Sequence, residues 1–476
     1  MCTKKQRLNS KCGWMLILLT LASTACTSQA GNISIAETAT IPEITPWLTE
    51  TSEDKRVPEA LEHTRDESRC SGASPSLTTD LEIQQAPGVG EPPAGVPFRD
   101  PIFGTCIIRL TDRFADLSPE DPSQGIKNEY SRVQSFNADG SRILVRSIDA
   151  YWYIYDTRTL KPLGQIPLSI EPRWDADDPD MLYHIDETRL LAYRLSTAEE
   201  RLVHDFAADF PGQNLAAVWT RYEGSSSFDG RYWGLMAEDQ DWLTTALLVY
   251  DLKIDHVIAR RDLPSRPEID TVSISPLGNF YLAYYDDYCE HGQFGDDTHP
   301  CGLMVYDRDL QNGRGLLRTV GHSDLAIDAN RREVLIFQDI DKDNISVLDL
   351  ESGEVTPLWP IDFSYSALGL HFSGRASNMP GWALVSTYNG AQPAATWMDD
   401  QIFVVELKPG GRMVRLGHTH SVVDENQEHD YWAEPHASVN HDFTRIVFTS
   451  NWGRSGTGQV ETYLIELPRD WLSRLP

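Results

Sequence analysis

The feature that most constrains this chain is that it repeats itself. Seven segments share one plan: a first strand ending in a polar turn, a second apolar strand, a third strand ending in Tyr-Asp or a similar pair, and a fourth polar strand. The clearest runs from Ser131 to Ile166, with the turn Asn137-Ala138-Asp139-Gly140, then Ile143-Leu144-Val145, then Trp152-Tyr153-Ile154-Tyr155-Asp156. The others begin near Glu171, Ser225, Thr271, His322, Leu368 and Glu434, so starts are 40 to 66 residues apart. Four strands per unit at such a period is the mark of a β-propeller. One four-stranded sheet cannot bury both faces alone, whereas radial packing gives each sheet an apolar neighbour on both sides. The last unit supplies three strands and stops, while Gly104 to Thr111 precedes the first unit unclaimed. The expectation is an all-β fold, a seven-bladed β-propeller over 98–476 whose N-terminal strand closes the last blade.

The N-terminus reads differently. Lys4, Lys5, Arg7 and Lys11 precede an apolar run from Trp14 to Ala22, too short to span a hydrocarbon core of about 30 Å, and then Ser23-Thr24-Ala25-Cys26. This predicts a signal peptide over 1–25. Residues 26–97, rich in Ser, Thr, Pro, Glu and Ala, carry no sustained period and read as a flexible tether. Removing 1–25 takes two of the seven cysteines with it and leaves Cys26, Cys70, Cys106, Cys289 and Cys301. In an oxidising compartment the last four make two disulfides, with three pairings open from sequence alone. Proximity favours Cys289 with Cys301, and therefore Cys70 with Cys106.

Two resemblances can be placed on these residues. Small residues followed at once by Cys26 resemble the lipobox of bacterial lipoproteins, which implies lipidation of Cys26. Thr27 in the next position implies, by the same resemblance, outer-membrane retention, facing the periplasm or the cell surface. The alternative is an ordinary signal peptide cut near Ala25. Units such as Asn137-Ala138-Asp139-Gly140-Ser141-Arg142-Ile143 and Ser438-Val439-Asn440-His441-Asp442-Phe443 resemble the WD40-like repeats of the TolB type and those of oligogalacturonate lyases. The resemblance covers about residues 103 to 468. It implies the fold and leaves activity to the site.

Aligning the units on their turns collects charged and imidazole residues at one end of the central channel. Six positions before the turn stand Val133, Glu171, Glu223, Thr271, Asp324 and His436; eight before stand Ser131, Ser169, Arg221, Ile269, His322 and Glu434. His322, His371, His418, His420 and His436 are expected at or just before inner strands of the last three blades. Three imidazoles with a carboxylate suit Mn²⁺, Zn²⁺ or a similar divalent ion, and His322, His371 and His436 are the candidate metal ligands. Oligogalacturonate lyases are known for a His-rich metal site, so the resemblance implies abstraction of the proton at C5 of a uronic acid. That chemistry needs a base and a cation. The candidate catalytic residues are Tyr130, Arg132, Arg221, His322, His371 and His436, with Arg173 and Tyr222 beside them.

Charge limits the partners. The chain has 71 acidic against 41 basic residues, a formal net charge of −30, and loss of four basic residues with the signal makes it −34. Nucleic acid is excluded as a partner, because phosphate binding needs clustered Lys and Arg. A polyanionic substrate must be held by local cations, which dominate within a Debye length of about 8 Å. The reading is a monomeric, exported, lipid-anchored propeller that binds a glycan, peptide or envelope protein at its channel mouth, touching the membrane only through its lipid. The alternative is a polysaccharide lyase with Mn²⁺, Ca²⁺ or Zn²⁺ as cofactor. Two lesser expectations complete the set. The Cys289-x-His291 and His299-x-Cys301 pairs form a disulfide rather than a zinc site, and Asp339 to Asn344 is an acidic hairpin turn rather than a Ca²⁺ loop.

Overall fold

The structure is a computed structural model that describes residues 69, 77–366, 368–390, 392–424 and 426–475. Among these the strands form seven antiparallel sheets, six of them with their strands side by side in chain order. Blade 1 is built from Ile126–Lys127, Arg142–Ser147, Trp152–Asp156 and Pro162–Ile166, and blade 2 from Ile170–Trp174, Met181–Asp186, Arg189–Arg194 and Glu199–Asp205. Blades 3 to 6 have their innermost strands at Leu215–Trp219, Ile269–Ile274, Ser323–Ile327 and Gly369–Ser373. Blade 7 contributes Ser438–Val439, Arg445–Ser450 and Glu461–Glu466.

Blade 7 gains its fourth strand from the other end of the described chain. Cys106–Arg109 pairs antiparallel with Glu461–Glu466, setting Cys106 opposite Glu466 and Ile108 opposite Leu464. Pro97–Arg99 adds a fifth, outermost strand to the same sheet.

The apolar residues lie between blades. Ile108, Val447 and Leu464 pack with Ile143, Val145 and Tyr153 across the blade 7–blade 1 interface, while the alternate residues Ile107, Ile446 and Ile465 pack with Leu384, Val404 and Leu416 of blade 6. Successive side chains of a strand point to opposite faces, so each middle strand feeds two interfaces and reads as a continuous apolar run. Further clusters join blade 1 to 2, blades 2 to 4, blade 4 to 5 and blade 5 to 6, which closes the ring. The outer strand of blade 1 faces water, with Pro162–Ile166 exposed at four of five positions, whereas that of blade 6, Met413–His418, is buried throughout.

The repeated Tyr-Asp pair has a local reason. In blades 1, 3 and 5 the turn after the first strand places an Arg across from the acid that ends the third strand. Arg142 bonds Asp156 at 2.8 Å, Arg231 bonds Asp251 at 2.7 Å and Arg332 bonds Asp349 at 2.8 Å. Gly140 in the first of these turns takes φ +68°, a conformation costly for other residues.

Cys289 and Cys301 are disulfide-bonded, closing a long loop of blade 4. This removes both thiolates from zinc ligation. Cys106 is also in a disulfide, and Cys70, which proximity in sequence pairs with it, lies outside the described residues. Cys26 and the expected signal peptide lie outside them too. The stretch 77–97, assigned above to the tether, is docked from Leu77 onward. Thr78 bridges Arg415, whose fully buried guanidinium also bonds Gln401 Oε1 at 2.7 Å and the Glu82 carbonyl at 2.8 Å. Further along, Glu91 pairs with Arg454 at 2.8 Å and Trp452 donates to the Val89 carbonyl. The segment's polar composition conceals this docking, because its contacts are with charges far away in sequence. Asp339 and Asn344 sit at the ends of two paired strands, so the acidic run between them is a hairpin turn.

Candidate functional site

At the end of the channel where each innermost strand begins, three side chains converge. One ligand atom each of His371, Glu434 and His436 lie within 4.8 Å of one another. Glu434 Oε2 is 3.3 Å from His371 Nε2 and 3.4 Å from His436 Nε2. Both imidazoles are buried to 1% exposure, yet all four of their ring nitrogens lack a hydrogen-bond partner, the approach to Glu434 being off the line an N–H donor needs. Burial holds both imidazoles well below their ordinary pKa, with the charge of His322 adding to it for His371, that of His371 for His436, and that of Lys127 for both. They are therefore neutral at pH 7, the state in which an imidazole lone pair binds a metal.

His322 stands in a different role from that expected. Its ring is 4.5 Å from that of His371, but its Nδ1 lies 3.0 Å from Tyr130 Oη. Burial raises the Tyr130 phenol well above its ordinary value and lowers His322, so both are neutral and share one proton-carrying hydrogen bond, its direction set by the imidazole tautomer. The Tyr130 ring packs 4.7 Å from His436 and 5.4 Å from His371. Arg132 lies over Tyr130 with its guanidinium carbon 5.5 Å from the ring centre, and pairs with Glu223 at 3.0 Å. The group within mutual ligand distance is thus His371, Glu434 and His436, with Glu434 in the place expected for His322.

Arg221 and Tyr222 sit at the rim of the same mouth, on blade 3, with φ of +62° and +74°. Non-glycine residues in this region cost of order 1–3 kcal/mol each and persist where their surroundings hold them. The brace is the buried Glu171 carboxylate, which accepts from Thr220 N at 3.0 Å, from Thr220 Oγ1 at 2.9 Å and from Tyr222 N. Arg221 donates to the Ile269 carbonyl at 2.7 Å. Arg173 is spent on structure, its guanidinium bonding the carbonyls of Gly224 and Tyr222.

His418 and His420 do not face the channel. His418 ends the outermost strand of blade 6, buried against Asp100 at 3.1 Å, and the His420 ring stacks on Trp452 at 4.1 Å. Strand alternation alone does not distinguish a fourth strand from a first, which is why they were grouped with the channel residues.

Reading from sequence missed Lys127. It lies on the innermost strand of blade 1, buried, with burial bringing its amine down to about 8, and its ammonium sits 5.7 Å from the Trp432 ring, which Arg146 flanks at 5.4 Å. The signal was Ile126-Lys127, five residues ahead of the Ser131 at which the first unit was taken to start. Tyr388, stacked 5.5 Å from His371, was also missed.

No family model matches this chain, and no curated protein matches it. Among solved structures it is similar to an oligogalacturonate lyase in complex with manganese, at 16% identity and a TM-score of 0.53, over 83% of this chain and 99% of that one. It is also similar to the oligogalacturonate lyase of Vibrio parahaemolyticus, at 13% identity and a TM-score of 0.52 with the same coverage. A WD40 domain from Neurospora crassa aligns at 12% identity and a TM-score of 0.44, over 79% and 98% of the two chains. At these identities the likeness to the two lyases is one of fold alone.

Proposed function

We propose that the channel mouth is a divalent-metal site that binds a carboxylate-bearing saccharide, a uronate unit of an acidic glycan. The observation that carries this reading is the set of four unpartnered ring nitrogens on His371 and His436 around Glu434. Buried polar atoms are rarely left unsatisfied, and two neutral imidazoles with one carboxylate suit Mn²⁺, Zn²⁺ or a similar ion. His371, His436 and Glu434 would hold the metal, whose chemistry there is Lewis-acid binding of a ligand oxygen. Arg132 lies nearby, over the Tyr130 ring, with its charge met by Glu223. The similarity in fold to an oligogalacturonate lyase with manganese supports the same reading.

A second reading, β-elimination on that uronate, is favoured by the Tyr130–His322 pair at 3.0 Å against the same two imidazoles. A phenol hydrogen-bonded to a buried neutral imidazole is a pair that can pass a proton at the site. The test is calorimetric titration of manganese into metal-stripped protein, then of oligogalacturonate and its methyl ester into the loaded protein, with ultraviolet absorbance followed for a new carbon–carbon double bond. Saturable metal binding with selective uptake of the free acid supports the binding reading, and product absorbance supports elimination. Absence of metal binding overturns both.

The protein acts, on this proposal, outside the cytoplasm, anchored through lipidated Cys26. The Cys289–Cys301 disulfide supports an oxidising compartment. Cys26→Ala is expected to release the protein from membrane fractions, and unchanged partitioning would refute the anchor.

A further inference from the structure

A second cleft opens between blades 1 and 2. Its volume is about 600 Å³, within the range of small-molecule sites. Its walls include Asp149 and Tyr151 from the link between the second and third strands of blade 1, and residues 165–169 leading into blade 2. In an antiparallel blade both links emerge where the inner strands begin, so the cleft shares the face of the channel mouth. His184, Asp186 and Glu200 of blade 2 complete its polar lining, with Trp152 in the wall.

His184 points to a ligand. Its side chain is 2% exposed, and its Nδ1 accepts from Ser169 N at 3.2 Å, which leaves the proton of the neutral ring on Nε2. That Nε2 faces Glu200 Oε2 at 3.1 Å, off the alignment of a full hydrogen bond, so it is left with donor capacity toward the cleft. A protonated Nε2 is a donor and excludes a metal there. The carboxylates supply acceptors whose charge is partly offset: Asp186 is paired with Arg189, and Asp149 accepts from Ser123 Oγ. Trp152 Nε1 is committed to the Ser169 carbonyl at 2.8 Å, so its ring contributes an apolar wall.

One buried donor beside several acceptors, over aromatic and apolar walls, matches groups that both donate and accept. We propose that this cleft binds a neutral, polyhydroxylated sugar unit, with His184 donating to one hydroxyl and Glu200, Asp186 and Asp149 accepting from others. An anion is opposed by the three carboxylates, and an isolated ammonium leaves the His184 donor unanswered. The site is independent of the axial metal.

The test titrates methyl β-galactoside, methyl β-glucoside, N-acetylglucosamine, glucosamine and glucuronate into the full chain, by calorimetry and tryptophan fluorescence, with and without manganese. Saturable binding of at least one neutral sugar is expected, undiminished when the metal is removed. Glu200→Ala and Tyr151→Ala, at exposed and half-buried positions, are expected to weaken it at least tenfold while the melting temperature and the manganese titration stay unchanged. Absence of saturable binding by every neutral sugar overturns the proposal, as does binding indifferent to both substitutions. Stronger binding of glucuronate or glucosamine than of the neutral sugars overturns the assigned chemistry, and loss of binding on metal removal places the sugar at the axial site instead.

Discussion

Replacing Glu434 by Gln separates the two things this residue can do. Gln keeps the shape and the hydrogen-bonding reach but offers no anionic oxygen to a cation between His371 and His436. In metal-free protein Glu434 stands against neutral imidazoles, its Oε2 at 3.3 and 3.4 Å, so the change is expected to alter stability by less than about 1 kcal/mol. With metal the outcome differs. A ligand that binds only the native state stabilises it by RT ln(1 + [L]/Kd), about 2.7 kcal/mol at one hundred times Kd. Loss of the only anionic member of the cluster is set at about 100-fold in affinity, so the same manganese concentration equals Kd for the variant. The gain then falls to about 0.4 kcal/mol, a difference of about 2.3 kcal/mol. Urea unfolding of both proteins, with and without manganese, measures all four values. Equal manganese-dependent gains in wild type and Glu434→Gln would refute the assignment of this cluster as the metal site.

Other expectations follow from single buried groups. Burial, with repulsion from Asp399 added, pushes the Asp400 carboxyl up to about 7, so the native state holds a proton there between about pH 4 and 7 that the unfolded chain has released. Stability is therefore lost progressively as pH rises from about 4 to 7 and stays lost above that. Asp400→Asn, at φ +58° where Asn is tolerated, should stabilise by on the order of 2–4 kcal/mol at pH 8, a gain that shrinks steadily as pH falls from 7 and is absent near pH 4 in a urea series. Arg415→Ala removes a fully buried guanidinium, strands Gln401 Oε1 and frees residues 77–85 from blade 6; about 3 kcal/mol is expected, with new protease cleavage in that segment as the readout. Glu171→Ala leaves the Thr220 and Tyr222 amides without an acceptor and releases two left-handed residues, which should cost about 2–4 kcal/mol and speed hydrogen exchange at 219–223 selectively.

The repeat was legible because its causes are local. Asp-Gly turns, apolar runs fed by two interfaces, and the Arg that meets the Asp ending the third strand recur in several blades. Register against the turns placed His436, and position at the start of an inner strand placed His371, near one point. What register does not carry is rotamer and depth. It placed Glu434 eight residues before a turn without revealing that its carboxylate lies beside two imidazoles, and it did not reveal that His322 Nδ1 is hydrogen-bonded to Tyr130. Lys127 escaped because the inner strand of blade 1 is brief, at Ile126–Lys127. The docking of residues 77–97 escaped because Thr78 and Asp80 find their partner in Arg415, more than 330 residues away.

The pairing of Cys106–Arg109 with Glu461–Glu466 bears on how the chain reaches its native state. Its partners are about 360 residues apart in sequence, a separation at which loop closure must be completed before the contacts repay it. Ribosomal synthesis delivers blades 1 to 6 while the final three strands are still missing, leaving the Cys106–Arg109 edge unpaired in the meantime, and unpaired edges invite aggregation. A chain that must be kept unfolded for translocation meets this constraint differently, since all seven blades then become available together. Ring closure is therefore expected to be the last and slowest folding event, and linking the two termini while opening the chain between two other blades should move that slow step to the new cut.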